Sequence, residues 1–177
     1  MSLTNEEKLK LVSLIKKIDS KEIRGEIWHE FIKKFVTVSI EMCVFDNKNR
    51  LLLVYRKDEE FDGYHIPGSV INFWETVEEA KDRLIKNEIT EPLNLKIKNL
   101  ESIGWVDIYK DFWFNKSDSR HPISLLFIAK TDDVFDGVEG AGFFEIDDLP
   151  ENTLDCHKFF IRFIKGYLKD GTFVLGK

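Results

Sequence analysis

The chain has 177 residues, 43% of them hydrophobic, and a formal net charge of −6 at pH 7. This size suits one domain with its own core, and the acidic balance argues against a general nucleic-acid binder, which usually presents a basic face. No apolar run approaches the ~20 residues of a membrane-spanning helix, and the charged N-terminus is unlike a signal peptide. We therefore expect a soluble, cytoplasmic protein without nucleic-acid or membrane partners.

Two helices are predicted at the N-terminus. Thr4 suits a helix cap, and Leu9, Val12 and Ile15 follow at helical spacing. A second helix is predicted over residues 20–33, with Ile23, Ile27 and Phe31 on one face. Residues 1–34 are therefore expected to form a helical arm that packs on the domain or on a partner subunit.

From Phe35 the hydrophobic period changes to two, which predicts a half-buried strand over residues 36–44 and a return strand over residues 51–55. The remaining predicted elements are a helix at 76–88, strands near 103–109, 123–130 and 142–146, and a helix at 154–168. This interleaving indicates one mixed α/β domain over residues 35–177.

The segment 63–88 is the part of the chain that points to chemistry. Gly68 permits a sharp turn and leaves a carbonyl free to face a ligand. The following helix is predicted to place positions 84, 87 and 88 on one face, where three carboxylates would form an oxygen site for magnesium. This chain instead has an apolar side chain, an amide and a carboxylate there: Leu84, Asn87 and Glu88.

The same segment resembles the Nudix motif, which runs Gly, five residues, Glu, seven residues, then Arg-Glu-aliphatic-any-Glu-Glu-any-Gly. Five positions align with it in spacing: Ser69 at the glycine, then Glu75, Arg83, Ile85 and Glu88. Three depart from it: Leu84, Asn87 and Thr90. The resemblance implies a Nudix α/β/α sandwich with a mixed sheet behind the helical arm. It also implies hydrolysis of a nucleoside diphosphate linked to another group, with Mg²⁺ or Mn²⁺ as cofactor.

The departures are similar to those of the GDP-mannose mannosyl hydrolase branch, which has leucine and a small residue where two acids are usual. That branch cleaves at the sugar carbon and releases GDP and the free sugar. The resemblance implies three ligands for the cation: the carbonyl of Gly68 or Ser69, Glu88, and Glu139 from a late loop. We add Asn87 as a further oxygen donor on the same helix.

The candidate site includes further residues. Arg56 and His121 resemble substrate-binding residues of the branch. Trp105 belongs to an aromatic cluster that either stacks on a base or sugar or fills the core; its other members are Tyr109, Phe112, Trp113 and Phe114. Arg83 is assigned to catalysis as a phosphate contact, with bracing of Glu75 as the alternative.

The resemblance fails at the general base. The branch places a histidine directly after its late-loop ligand, whereas this chain has Gly140, which leaves Glu139 or Asp136 as the nearest candidates. His65 is expected to be a packing residue.

Three functions stay open from the sequence. The preferred one is a nucleotide-sugar hydrolase that releases a nucleoside diphosphate, and retention of Glu75, Arg83 and Glu88 favours an enzyme. A nucleotide-binding module without efficient hydrolysis is favoured by the two lost acids and the missing histidine. An ordinary diphosphate-cleaving Nudix enzyme would release a nucleoside monophosphate. The resemblance also suggests a homodimer.

Overall fold

The computed structural model describes residues 3–18, 23, 25–58, 61–108 and 121–170. The helices are α1 (Asn5–Ile15), α2 (Gly25–Ile32), α3 (Val77–Leu84), α4 (Glu91–Leu93) and α5 (Asp155–Asp170), with a π-helical segment (Ile85–Thr90) between α3 and α4. The strands are β1 (Val36–Phe45), β2 (Leu51–Lys57), β3 (Asp62–His65), β4 (Gly68–Val70), β5 (Lys98–Asp107), β6 (His121–Lys130) and β7 (Ala141–Phe144).

The strands of the described chain form one sheet in the order β3-β2-β1-β6-β5, with β4 paired to β1 and β7 paired to β2. β1 and β6 run parallel over their whole length, and the other pairs are antiparallel. The predicted mixed sheet is therefore confirmed.

Hydrophobic cores lie on both faces of this sheet. On one face, Phe160, Ile161 and Ile164 of α5 pack against side chains such as Leu53 and Leu126. On the other face, the core is built from α3, the π-helical segment and β1, through residues that include Ala80, Leu84, Ile89 and Met42. Helices thus cover the sheet on both sides, which confirms the predicted α/β/α sandwich.

The prediction that β1 is half-buried is wrong. Residues 39–45 are all buried, so both rows of side chains in this part of the strand are inaccessible to solvent. Met42 and Val44 belong to the core under α3, while Cys43 and Phe45 belong to the core under α5. The physical reason is position, because a central strand between two helical layers has no solvated face.

The N-terminal arm divides into two parts with different surroundings. In α1, Thr4 and Glu7 form a capping box, and no side chain of the helix is buried. The structure therefore does not pack α1 on the domain, whereas α2 buries Ile32. The homodimer stays a prediction. None of the helices in the described part of the chain has the length and hydrophobicity needed to cross a bilayer.

Candidate active site

A cavity of about 850 Å³ lies where β1, β2, β3 and β4 meet α2, the π-helical segment and the start of α5. It brings together five of the residues predicted from the sequence: Arg56, Gly68, Asn87, Glu88 and Glu139. It also includes residues that the sequence did not single out for the site, among them Trp28, Ser39, Glu41, His65 and His157. The cavity is therefore the candidate active site.

Gly68 is required at the cavity because the backbone passes very close to a side chain of β1. It pairs with Glu41 across the β1–β4 ladder, and a Cβ atom at position 68 would overlap the carboxylate oxygen Oε2 of Glu41. The preceding carbonyl, of Pro67, accepts a hydrogen bond of 2.8 Å from the amide of Met42. The turn is thus held against the central strand.

The π-helical segment ends the part of the chain that resembles the Nudix motif, residues 69–90, which with Gly68 is here called the signature segment. Leu84 is fully buried in the core, and so is Ile89, five residues later. Asn87 and Glu88 are exposed on the other side and line the cavity. The predicted common face of positions 84, 87 and 88 is wrong, because Leu84 faces the core whereas Asn87 and Glu88 are exposed at the cavity. Leu84 is a core residue and not a vacant ligand position.

Arg83 braces the loop between β4 and α3. Its guanidinium donates to both carboxylate oxygens of Glu75, at 2.7 and 2.8 Å, to the hydroxyl of Ser69 at 2.8 Å and to the carbonyl of Val70 at 2.9 Å. The Arg83 bonds hold the pKa of Glu75 below its usual value. Arg83 does not line the cavity, so these contacts correspond to the bracing alternative, and we reassign it from catalysis to positioning.

The hydrogen bonds by which Arg83 braces the loop should contribute to the stability of the protein. We expect Arg83→Lys to lower the free energy of unfolding by about 1.5–3 kcal/mol, because an ammonium group cannot make the two parallel bonds to Glu75 together with those to Ser69 and Val70. Urea unfolding at pH 7 measures the loss. Arg162→Lys on the exposed side of α5 is the matched control, expected to change stability by less than ~0.5 kcal/mol. Equal effects of the two substitutions would contradict the brace.

Arg56 and Glu139 reach the cavity from β2 and from the loop before β7. The guanidinium of Arg56 lies 4.6 Å from the centre of the Phe61 ring, and its Nε donates to Asp58. Next to Glu139, the carbonyl of Gly140 accepts a hydrogen bond of 2.6 Å from the amide of Tyr55. Gly140 has a positive φ of 82°, which strains most other residues, so this backbone disfavours a histidine at position 140.

Two predicted substrate-binding residues lie outside the cavity lining. Trp105 on β5 is 46% exposed. His121 opens β6, and its Nε2 lies 2.6 Å from an oxygen of Asp107, with both side chains about half exposed. The described residues of the cavity lining therefore do not include these two side chains, and their role in substrate binding stays a prediction. The rest of the predicted aromatic cluster, Tyr109, Phe112, Trp113 and Phe114, lies outside the described residues.

Glu41 is a cavity residue that sequence reasoning missed. It is buried, and the hydroxyl of Ser39 donates to its Oε1 at 3.1 Å while also lying 2.8 Å from the hydroxyl of Ser124. Its other oxygen, Oε2, is buried without a hydrogen-bond partner among the described residues. Burial disfavours the charged form and raises the pKa of Glu41 to about 8. One sequence feature could have indicated Glu41: it is a glutamate in the polar row of β1, and β1 is a central strand of the sheet.

Comparison with known proteins decides the family. No family model matches the chain. An ADP-ribose pyrophosphatase from Methanocaldococcus jannaschii is 32% identical to it, over 71% of this chain and 70% of that protein. The chain belongs to the Nudix hydrolase superfamily.

Solved Nudix structures share the fold. A MutT Nudix hydrolase from Burkholderia pseudomallei is 20% identical, with a TM-score of 0.56, and covers 73% of this chain and 98% of its own. A MutT protein from Methanosarcina mazei Go1 has 13% identity, a TM-score of 0.56 and coverages of 80% and 99%. The Nudix domain of Shewanella oneidensis NrtR, solved with ADP ribose, has 14% identity, a TM-score of 0.55 and coverages of 94% and 99%.

Within this superfamily the chain has an unusual set of candidate metal donors. Nudix hydrolases generally use a divalent metal ion, yet no three His, Cys, Asp or Glu side chains of the described residues are grouped closely enough to hold one by themselves. The signature segment places Gly68, Asn87 and Glu88 at the cavity, and Glu88 is the one carboxylate among these three residues.

Proposed function

We propose that this Nudix protein is a divalent-cation-dependent hydrolase of a nucleoside diphosphate joined to a second group, preferably a sugar. The observation that carries the proposal is the convergence of Gly68, Asn87, Glu88, Arg56 and Glu139 on one cavity. Oxygen donors for a cation beside a guanidinium are the groups that bind a diphosphate. The similar archaeal protein named ADP-ribose pyrophosphatase supports this substrate class.

The donor set suits a hard cation of the magnesium type. Magnesium in nucleotide sites is usually held by one or two carboxylates together with substrate phosphates and water, so a complete protein cage is unnecessary. Oε2 of Glu41 is a buried, unpartnered oxygen against Gly68, at the same side of the cavity, and positive charge there would offset its burial. Gly68, Asn87, Glu88 and Glu139 would hold Mg²⁺ or Mn²⁺, which would supply charge neutralisation of the diphosphate.

The cavity also has the size and the side chains for a nucleotide with a second group. Its volume of about 850 Å³ lies within the ~300–1,000 Å³ usual for ligand pockets. Trp28, which α2 contributes to the lining, provides an aromatic face for a base or sugar. We transfer to Trp28 the stacking role that the sequence suggested for Trp105. The arm thereby becomes part of the substrate site.

Two bonds of such a substrate are candidates for cleavage. The relationship to a protein named as a pyrophosphatase favours cleavage within the diphosphate, which gives a nucleoside monophosphate. The second candidate is cleavage at the sugar carbon, as in the GDP-mannose mannosyl hydrolase branch. It is favoured by the leucine at position 84, which the structure buries in the core, and by Asn87 beside Glu88 at the cavity. We propose diphosphate cleavage as the main reaction.

The products decide between these reactions. The purified chain is incubated with Mg²⁺, and in parallel with Mn²⁺, and with ADP-ribose, GDP-mannose, UDP-glucose or a dinucleotide polyphosphate. Chromatography should show AMP and ribose 5-phosphate from ADP-ribose. GDP with free mannose would instead assign cleavage at the sugar carbon. Absence of products from every substrate, while a nucleotide still raises the melting temperature, would contradict hydrolysis and leave a binding module.

A further inference from the structure

His65 lies where it can act on a ligand in the cavity. It is the last residue of β3, where it pairs with Val54 of β2, and its half-buried side chain lines the cavity with Arg56. His157 of α5 is buried and also lines the cavity, with the two ring centres 5.4 Å apart. Two histidines that are distant in sequence thus meet at one wall of the site.

The backbone of Ile66 assigns the hydrogens of both rings. Nδ1 of His65 is 2.7 Å from the carbonyl oxygen of Ile66, and a carbonyl only accepts, so Nδ1 carries the hydrogen. Nε2 of a neutral His65 is therefore the nitrogen with the free electron pair. The amide of Ile66 donates to Nδ1 of His157 at 3.3 Å, so His157 carries its hydrogen on Nε2. The backbone of one residue, Ile66, thus holds the two rings in opposite tautomers.

The surroundings favour the neutral form of both rings. Burial is the main cause that lowers the pKa of His65, the bond to Ile66 acts in the opposite direction, and the charges of Arg56 and Asp58 respectively lower and raise it. Burial also places the pKa of His157 well below its usual value, with smaller contributions from His65 and Arg56. His65 is therefore a proton acceptor near neutral pH, with its orientation set by a backbone carbonyl.

We propose that His65 is the general base of this site, with Nε2 taking a proton from the water that attacks the substrate. This role rests on the hydrolysis proposed above. It also supplies the group that the late loop lacks, since Gly140 has no side chain and its positive φ of 82° disfavours one. The arrangement of a histidine oriented by a second group through its other nitrogen is the usual one for a catalytic base.

The step balances as a hydrolysis of the diphosphate. One O–H bond of water breaks and its proton goes to Nε2 of His65, while the water oxygen forms a bond to phosphorus. The bond between that phosphorus and the bridging oxygen breaks, and its electron pair leaves with the second phosphate. His65 then returns its proton to solvent, so no other reactant is needed.

His65→Asn separates the hydrogen bond that orients the side chain from the acceptance of a proton. The amide of asparagine keeps a donor for the carbonyl of Ile66 but removes the acceptor at Nε2. We expect kcat to fall by about 10²–10⁴-fold, with KM and the calorimetric affinity for Mn²⁺ unchanged. The wild-type rate should rise with pH through a value below 6.5, the ordinary pKa of histidine, and this acidic limb should disappear in the variant. His29→Asn on α2, outside the cavity lining, is the matched control and should keep both rate and profile.

The possible outcomes test the role of His65 separately from the proposed hydrolase function. Urea unfolding of each variant shows whether the rate loss has a structural origin, and a loss of rate in proportion to unfolded protein would overturn the role of His65. A wild type that hydrolyses ADP-ribose while His65→Asn keeps its rate, or its acidic limb, would overturn the base but leave the proposed function. A wild type without turnover on any nucleotide would overturn both.

Discussion

Replacement of Glu88 with glutamine is expected to slow nucleotide hydrolysis by about 10²–10³-fold, because the metal-assisted part of catalysis contributes several kcal/mol and each 1.36 kcal/mol is tenfold in rate. Glu88 is the signature carboxylate that reaches the cavity, on the exposed side of the π-helical segment. Glutamine keeps its length but has no negative charge for a cation. Its exposure means that the substitution should change stability by less than ~0.5 kcal/mol.

The affinity of the Glu88→Gln variant for the cation should be measured directly, in addition to its rate of hydrolysis. Calorimetric titration with Mn²⁺ in the presence of a nucleotide should show at least the roughly tenfold loss of affinity that follows when even a supporting residue of a metal site is removed. Glu78→Gln is the matched control, since Glu78 is an exposed residue of the preceding helix, paired with Lys81 outside the site. Unchanged Mn²⁺ affinity in Glu88→Gln would show that the cation site is elsewhere.

The spacing of the signature segment carried most of the correct predictions. The number of residues between Gly68 and Glu88 places the turn and one side of the following helix at the same cavity. Arg56, near the end of β2, also lines this cavity. Those relationships are local in sequence or follow from a hairpin. They require only that the strand, turn and helix form in the expected order, which period and turn residues indicate well.

The buried polar row of β1 could not be predicted from the alternation of residues within the strand. Thr37, Ser39, Glu41 and Cys43 form the polar row of the strand, and an alternating pattern usually indicates a solvated face. In the structure α5, more than a hundred residues later, packs on Cys43, whereas Thr37, Ser39 and Glu41 line the cavity. The burial of this row therefore depends on elements distant in sequence, and the residues of the strand alone do not indicate them.

The errors in the site have similar causes. Leu84 and Ile89 are both apolar and five residues apart, which fits a π-helical turn, but one such pair does not override the α-helical period that the rest of the segment follows. His121 was placed by resemblance, and Trp105 was chosen as a member of an aromatic cluster. Neither signal shows which strands border the cavity, and β5 and β6 lie on the other side of β1 from β2 and β3. His65 was expected to be a packing residue from its place on the strand before Pro67. Its ring does pack on His157, which comes from α5 and which the sequence of the strand cannot indicate.

The second large effect is expected for Glu41, whose buried carboxyl should make the protein less stable as pH rises. Its pKa is raised from 4.5 to about 8 by burial, so between these values the folded chain keeps a proton that the unfolded chain has released. Stability is then greatest near or below pH 4.5 for this group and falls up to about pH 8, by several kcal/mol in order of magnitude. Glu41→Gln removes the titration and should flatten this part of the curve.

Urea unfolding between pH 5 and 9, with EDTA present, measures the difference. Wild type and Glu41→Gln should be similar at pH 5, and the variant should be more stable at pH 9, because an amide can keep the bond to Ser39 without a buried charge. The exposed Glu145→Gln serves as control. Parallel curves for wild type and Glu41→Gln would contradict the prediction. A cation bound beside Gly68 would favour the ionised carboxylate, so Mg²⁺ in place of EDTA should stabilise the wild type at pH 9 and narrow its gap to the variant.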